Sequence, residues 1–271
     1  MAQEHSPSLI DSHSHILPGL DDGAKTMDET LGMVRQLYEA GFKTLMATPH
    51  VLEGTDYLRP AEILKVTEQV RQAVAEAGIP VEIVPGAENY IFPDMGKWVR
   101  EEKLLTLGNT GKYILVELPM FEIPHYTDQV FFELQVQGLT PILAHPERYK
   151  GLVDEPERLL DWAKKGVLFQ LDLRSLRGRY GPKSQELAET LLRSDLIHFV
   201  GSDAHRVSRS GSSEREALQS VKDLVGEERF RELTQMNPER ILEGESMPGG
   251  ETYFFKDPII KKKKIKWKFW S

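Results

Sequence analysis

Short, almost wholly apolar runs recur along this chain, each followed by a longer amphipathic stretch, and that alternation limits the fold more than any other feature. The runs lie near Leu9–His13, Thr44–Thr48, Val81–Gly86, Tyr113–Glu117, Pro141–His145, Val167–Asp172 and Ile197–Asp203. A strand with one face in water alternates apolar and polar residues. These do not, as expected of parallel strands covered on both faces. The stretches between them read as helices. Thr26-Met27-Asp28-Glu29 is a capping box, and Gly41 stops the helix that it opens. Ile63, Val66, Val70 and Val74 form one apolar stripe, ended by Gly78-Ile79-Pro80. Further helices are expected from about Pro156 to Lys165, with Gly166 as the stop, and near Lys183–Leu192, Glu214–Val225 and Glu227–Met236. Asn237-Pro238 reads as the N-cap and first residue of a last short helix. Seven β-then-α units without an internal repeat predict an α/β fold, either a closed barrel or an open doubly wound sheet. A length of 271 residues suits one domain of that size.

Composition narrows the chemistry. The chain has no cysteine. Disulfides, thiolate metal sites and every cysteine-nucleophile mechanism are therefore excluded, and any metal must be held by His, Asp or Glu. No run of about 18 apolar residues offers a transmembrane helix, and Met1–Ser8 lacks the apolar region of a signal peptide. A cytoplasmic enzyme is expected. The net charge of −8 conceals an uneven split: from Lys256 onward seven lysines face one acid, Asp257, which leaves −14 on residues 1–255. So acidic a body does not suit nucleic acid. We expect one folded domain over residues 1–247, ended by Pro248-Gly249-Gly250, and a separate basic-aromatic tail over 248–271.

The C-terminal ends of the expected strands carry the polar residues of interest. Strand one ends in Asp11-Ser12-His13-Ser14-His15, strand two in Thr48-Pro49-His50, strand three in Gly86-Ala87-Glu88, strand four in Glu117, strand five in Ala144-His145-Pro146 and strand seven in Gly201-Ser202-Asp203-Ala204-His205. Such ends converge on one mouth in barrels and in open α/β sheets. With Asp22 they bring five histidines, two aspartates and two glutamates to that mouth, too many for one ion and suited to two or three. His13 and His15 are two apart on a strand and share a face, and Asp203 and His205 repeat the spacing. Glu88 and Glu117 are carboxylates able to bridge ions. Mixed imidazole and carboxylate donors favour manganese, iron or zinc over calcium or magnesium. A single His or Asp at a strand end is usually a loop residue with a local hydrogen bond; six of seven strand ends is a pattern. His5, His125 and His198 are read as ordinary residues of the terminus, a loop and a strand.

These residues, with Pro18-Gly19-Leu20-Asp21-Asp22-Gly23 after the first motif, resemble the polymerase and histidinol phosphatase (PHP) superfamily, and more narrowly the bacterial PHP tyrosine-protein phosphatases of capsule and exopolysaccharide loci. Ala47-Thr48-Pro49-His50, Pro85-Gly86-Ala87-Glu88, Leu115-Val116-Glu117-Leu118-Pro119, Ala144-His145-Pro146-Glu147-Arg148-Tyr149 and Gly201-Ser202-Asp203-Ala204-His205 continue the match in family order over about residues 9–245. The resemblance implies a distorted seven-stranded (β/α) barrel and a site of up to three ions, manganese first, with iron or zinc as alternatives. It implies that His13, His15 and Asp203 hold one ion, that Glu88 bridges it to a second completed by Glu117 and His145, and that Asp22, His50 and His205 hold the third. Arg148 matches the arginine that contacts phosphate. A second such arginine is expected shortly after His205; Arg206 and Arg209 both lie there, and Arg209 is nearer the expected spacing.

The implied activity is hydrolysis of phosphotyrosine by a metal-activated hydroxide, with the arginines neutralising phosphoryl oxygens. The implied substrate is the phosphotyrosine-containing C-terminal tail of a cognate, membrane-associated tyrosine autokinase that controls polysaccharide synthesis. Two other readings stay open: a histidinol-phosphate or other small-molecule phosphatase of the same fold, and a non-catalytic metal-binding regulatory module. The resemblance does not cover the tail, whose lysines and Trp267, Phe269 and Trp270 suit an anionic membrane surface. That contact would make the enzyme peripheral at the inner membrane face. A disordered terminus, or docking of the tail on the acidic body of a neighbouring subunit in an oligomer, are the alternatives.

Overall fold

In the computed structural model, which describes residues 8–54, 57–208 and 213–247, the seven apolar runs form strands where they are expected. The strands are β1 (Leu9–Ser14), β2 (Phe42–Ala47), β3 (His50–Val51), β4 (Glu82–Pro85), β5 (Glu88–Tyr90), β6 (Tyr113–Glu117), β7 (Thr140–Ala144), β8 (Leu168–Asp172) and β9 (Phe199–Gly201). Every pairing is parallel. The ladder runs β1-β2-β4 in one sheet and β3-β5-β6-β7-β8-β9 in the other.

These sheets are parts of one ring, because two runs are broken in the middle. The second breaks at Thr48-Pro49 and resumes as β3; the third breaks at Gly86-Ala87 and resumes as β5. Pro49 has no N–H for a ladder. Main-chain bonds carry the sheet across the breaks: Thr48 N–H to Ser14 O (2.8 Å), Gly86 N–H to Ala47 O (2.9 Å) and Glu88 N–H to Pro49 O (3.0 Å). The ring closes between β1 and β9, where His15 N–H donates to Ala204 O (2.9 Å) and Asp203 N–H to His13 O (2.9 Å). Ser202 adds its N–H and hydroxyl to the Asp11 carboxylate, at 2.8 and 2.6 Å. A glycine is required at this seam, since a Cβ on Gly201 would lie 2.6 Å from the Cβ of His13. Among the described strands β4 and β6 are not paired, and a 3₁₀ turn, Leu107–Asn109, packs against both. The molecule is thus a distorted seven-stranded (β/α) barrel, the closed alternative of the two expected.

Ten helices are described: α1 (Met27–Ala40), α2 (Pro60–Glu76), α3 (Met95–Arg100), α4 (Thr127–Val136), α5 (Lys150–Asp154), α6 (Glu157–Lys164), α7 (Pro182–Arg193), α8 (Ser213–Val225), α9 (Glu227–Arg231) and α10 (Asn237–Glu243). Thr26 caps α1 through the Glu29 N–H, and Gly41 ends it with φ 119°. Glu29 answers to the N–H of Lys25 rather than to that of Thr26, so the box is displaced by one residue. Asn237 is not an N-cap. A π-turn over Glu232–Met236 joins α9 to α10 without leaving the helix. Asn237 instead donates from its amide to His198 O (2.9 Å) and ties this last helical segment to the strand beside it.

Two apolar layers surround the strands. The larger lies outside the ring, where Phe42, Leu45, Ile83, Ile114, Leu143 and Phe169 meet α1, α2, α4 and α6 through residues such as Leu37, Val70, Leu134 and Trp162. The smaller fills the ring's interior with Ile10, Met46, Val84, Leu115, Ile142, Leu168 and Phe199, and Leu107, Ile241 and Met247 pack with it. The interior is therefore solid over the starts of the strands, and polar side chains collect at their C-terminal ends.

Candidate metal centre

β1 supplies the first pair. Its register against β2 slips between Asp11 and Ser14. That slip lets Ile10 join the interior while His13 and His15 still aim at the mouth. Both histidines are fully buried, with their Nε2 atoms 3.0 Å apart. The remaining residues come from the strand ends around the ring. Glu88 opens β5, Glu117 ends β6, His145 follows β7, and Asp203 and His205 follow β9. His145 and Asp203 sit in the left-handed region, at φ 33° and 46°. This conformation is costly for residues with a Cβ, and such strain collects at functional sites.

The structure brings all nine expected residues together. Glu88 Oε2 lies 3.2 Å from His13 Nε2, 3.4 Å from His15 Nε2 and 3.0 Å from His50 Nδ1. Its other oxygen meets His145 Nε2 at 2.9 Å. Asp203 Oδ1 is 3.5 Å from His13 Nε2, 3.2 Å from His15 Nε2 and 3.5 Å from His205 Nδ1. Glu117 reaches His50 Nδ1 at 3.3 Å, and Asp22 meets His50 and His205 at 3.5 and 3.3 Å. Three groups could each hold an ion: His13, His15 and Glu88; His50, Glu88 and Glu117; and His15, Asp22, His50 and His205. They overlap at Glu88, His15 and His50, so His50 lies between the second and third ions of the expected division and is not confined to one. Of the histidines set aside, His125 is exposed, His198 is buried beside Phe169, and His5 lies outside the described residues.

The electrostatics fit cations. Burial disfavours charge on the imidazoles, but Glu88 and Asp203 outweigh it and raise His13 and His15 above the usual histidine range. Burial likewise pulls His50 down, yet the nearby Glu117 and Glu88 carboxylates lift it to about 10. The same contacts hold Glu88 and Asp203 well below the carboxylate range in spite of burial. Glu88 Oε2 and Asp203 Oδ1 are buried with no hydrogen-bond donor. Protonated imidazoles balance these carboxylates when no ion is held; divalent ions would take over that charge and free the imidazole lone pairs to hold them.

The family model for capsular polysaccharide synthesis, CpsB/CapC, matches residues 9–243. The chain belongs to the CpsB/CapC family. It is 34% identical over 239 residues to the tyrosine-protein phosphatase YwqE of Bacillus subtilis, covering 88% of this chain and 93% of that protein. To the tyrosine-protein phosphatase CpsB of Streptococcus agalactiae it is 28% identical, covering 86% and 98%. Among solved structures, YwqE from Bacillus subtilis and CpsB from Streptococcus pneumoniae are described together as unique metal-dependent tyrosine phosphatases. That match has a TM-score of 0.83 at 34% identity, over 88% of this chain and 96% of the other. Histidinol phosphate phosphatase from Lactococcus lactis shares the fold, with a TM-score of 0.53 at 14% identity, over 80% and 94%.

In this CpsB/CapC chain Arg148 is four-fifths buried and donates from Nη1 to Asp203 Oδ2 at 2.6 Å. It pairs with neither Glu147 nor Asp154, the salt-bridge partners that sequence proximity offers. Arg206 is exposed, and Arg209 lies outside the described residues. Sequence reasoning missed a set of supporting residues. Asp21 accepts from His15 Nδ1 (2.7 Å) and from the N–H groups of Gly23 and His50 (2.8 and 3.1 Å). The bond to His15 and its charge outweigh burial and hold Asp21 at about 2. Gln170 fixes His13 through Nδ1 at 2.9 Å. Fixing the far nitrogen orients the near one toward metal. Arg174 donates to Asp203 Oδ2 beside Arg148. Asp21 stood inside a matched motif; Gln170 and Arg174 carried no local signal.

Proposed function

We propose that the protein is a metal-dependent protein-tyrosine phosphatase acting on the phosphotyrosine-containing C-terminal tail of a membrane-associated tyrosine autokinase that controls capsule or exopolysaccharide synthesis. The observation that carries this reading is the convergence of the buried Glu88 Oε2 and Asp203 Oδ1 with four imidazoles at the barrel mouth. The names of the family's curated members support it.

Manganese is the first choice of metal, with iron or zinc as alternatives and up to three ions held. Ions bound there supply an activated water and positive charge for the phosphoryl oxygens. The ligands are His13, His15, Asp22, His50, Glu88, Glu117, His145, Asp203 and His205. Arg148, beside Asp203, binds phosphoryl oxygens through its fork of N–H groups. Arg209 remains a second candidate from the sequence. A groove of about 390 Å³ adjoins His50 and Glu117 and is walled by Leu20, Leu52, Leu58 and Tyr90. Asp21 and Asp22 line it too, and its apolar and aromatic part offers a surface for the ring of a tyrosyl phosphate beside these carboxylates.

The test is turnover of a phosphotyrosine peptide against histidinol phosphate, with and without Mn²⁺. Metal-dependent hydrolysis of the peptide, lost on chelation and unaffected by thiol reagents, is expected. Preference for histidinol phosphate would reassign the substrate, and no turnover of either with manganese, iron or zinc would leave a binding module. No helix among the described residues is long and apolar enough to cross a membrane. The tail over 248–271 lies outside the described residues. Its seven lysines support attachment at the inner membrane face, beside the kinase.

A further inference from the structure

Strand β8 ends in Asp172, which does not join the metal cluster. Its carboxylate faces arginines instead. It caps the following turn through the Arg174 N–H (2.8 Å) and receives the Arg174 guanidinium on both oxygens, at 3.3 and 3.2 Å. The same guanidinium also donates to Asp203 Oδ2, the oxygen that Arg148 Nη1 holds at 2.6 Å. Two cations thus converge on one oxygen of a carboxylate whose other oxygen faces His13 and His15.

Arg174 is three-quarters buried and Arg148 four-fifths. The carboxylates of Asp172 and Asp203 balance the two guanidiniums, but one guanidinium would be enough to orient Asp203. The surroundings nevertheless fix both. Tyr180 donates its hydroxyl to Asp172 (2.7 Å), and its ring lies 4.4 Å from the Arg148 guanidinium carbon and 5.7 Å from that of Arg174. Glu147, next to Arg148, accepts from Asp172 N–H (3.0 Å) and from the Ser175 hydroxyl (2.7 Å), so the two arginine-bearing loops are bonded to each other. Paired, pre-oriented guanidiniums beside a metal cluster match the oxygens of a phosphoryl group.

We propose that Arg174 is a second phosphate-contacting arginine, set on the loop after β8, with Asp172 and Tyr180 as its positioning residues. The proposal rests on the phosphoester reading above and is independent of Arg209, which lies outside the described residues. The phosphoryl group would lie between Arg148 and Arg174, exchanging their shared hold on Asp203 for its own oxygens.

The experiment uses the full chain loaded with Mn²⁺ and inorganic phosphate as the probe, its binding read by calorimetry without turnover. Arg174→Gln, Arg174→Lys and Tyr180→Phe are compared with the parent, with metal content and melting temperature measured on each. Loss of one charged hydrogen-bonding partner predicts phosphate binding weaker by roughly tenfold or more in Arg174→Gln. Arg174→Lys recovers part of this as a point charge without the fork. Tyr180→Phe shifts binding the same way by less, and metal content stays at the parent value in all three. On a phosphotyrosine peptide the same loss raises KM in Arg174→Gln. Phosphate affinity within twofold of the parent in Arg174→Gln would overturn the proposal. So would weakened phosphate binding accompanied by lost metal in both Arg174 variants, which would make the residue a support for Asp203. A parent that binds phosphate but hydrolyses no phosphotyrosine peptide would refute the proposed function and leave the Arg174 comparison intact.

Discussion

Glu88 is the residue on which the centre turns, for its two oxygens meet His13, His15, His50 and His145. Glu88→Gln keeps the shape and removes the charge. We expect bound metal to fall together with turnover, by more than the roughly 10–100-fold that outer supporting residues cost. Elemental analysis beside the rate checks it, and a variant with parental metal content and rate would move the centre elsewhere. Asp21→Asn is expected at the milder level, a loss of roughly 10–100-fold in metal affinity, because it loosens His15 without removing a ligand. A metal titration separates the two classes. Eight of the nine clustered residues were legible in the chain because they stand at or just after strand ends; Asp22, in the loop after β1, was legible only through the motif around it. Asp21 was not separable from Asp22 beside it, since its bond to His15 depends on a loop path that no spacing reveals. Gln170 acts across 157 residues and is a neighbour of His13 only because the ring closes, while Arg174 acts across 29, from the turn after β8 to the end of the adjacent β9.

At the scale of elements, the seven strands were readable because both faces of each are covered and apolar. β3 and β5 were not, since each is a two- or three-residue continuation after a break and is held by its neighbours rather than by its own pattern. α3 and α4 lacked signals too. Neither begins with a side-chain cap, and α4 is apolar on both sides, burying Val130, Phe131 and Leu134 while exposing Phe132 and Val136. His198, just before β9, shows what an element can do to a side chain. It accepts the Phe169 N–H at 3.1 Å, and burial together with Arg229 pushes it down to about 3. Below about pH 6.5 the unfolded chain takes up a proton that the folded chain refuses, so stability is lost as pH falls toward 3. The loss is up to about 1.4 kcal/mol per pH unit. Between pH 7 and 5 the parent's urea midpoint should therefore fall more steeply than that of His198→Asn. Parallel slopes would mean that His198 is protonated in the fold.

Over the whole molecule, charge is divided between an acidic body and a basic tail, seven of whose residues are lysines. Each lysine near an anionic leaflet contributes about 1 kcal/mol. The full chain should co-sediment with anionic vesicles at low salt and be released as salt screens the attraction, while a 1–247 truncation stays in solution and keeps its rate on a free phosphotyrosine peptide. Equal, negligible binding of both would remove the membrane reading. The ring itself was half legible. Alternation predicted parallel strands, but barrel and open sheet differ only at the seam, where Ser202 bonds to Asp11 across 191 residues. That seam has a consequence for how the protein is made. His13 and His15 leave the ribosome early, whereas Asp203 and His205 follow only after most of the chain, roughly 10–40 seconds later at ordinary elongation rates of about 5–20 residues per second. During that interval the nascent chain carries half a chelate. The full set of nine residues is therefore assembled only as a late event of biosynthesis.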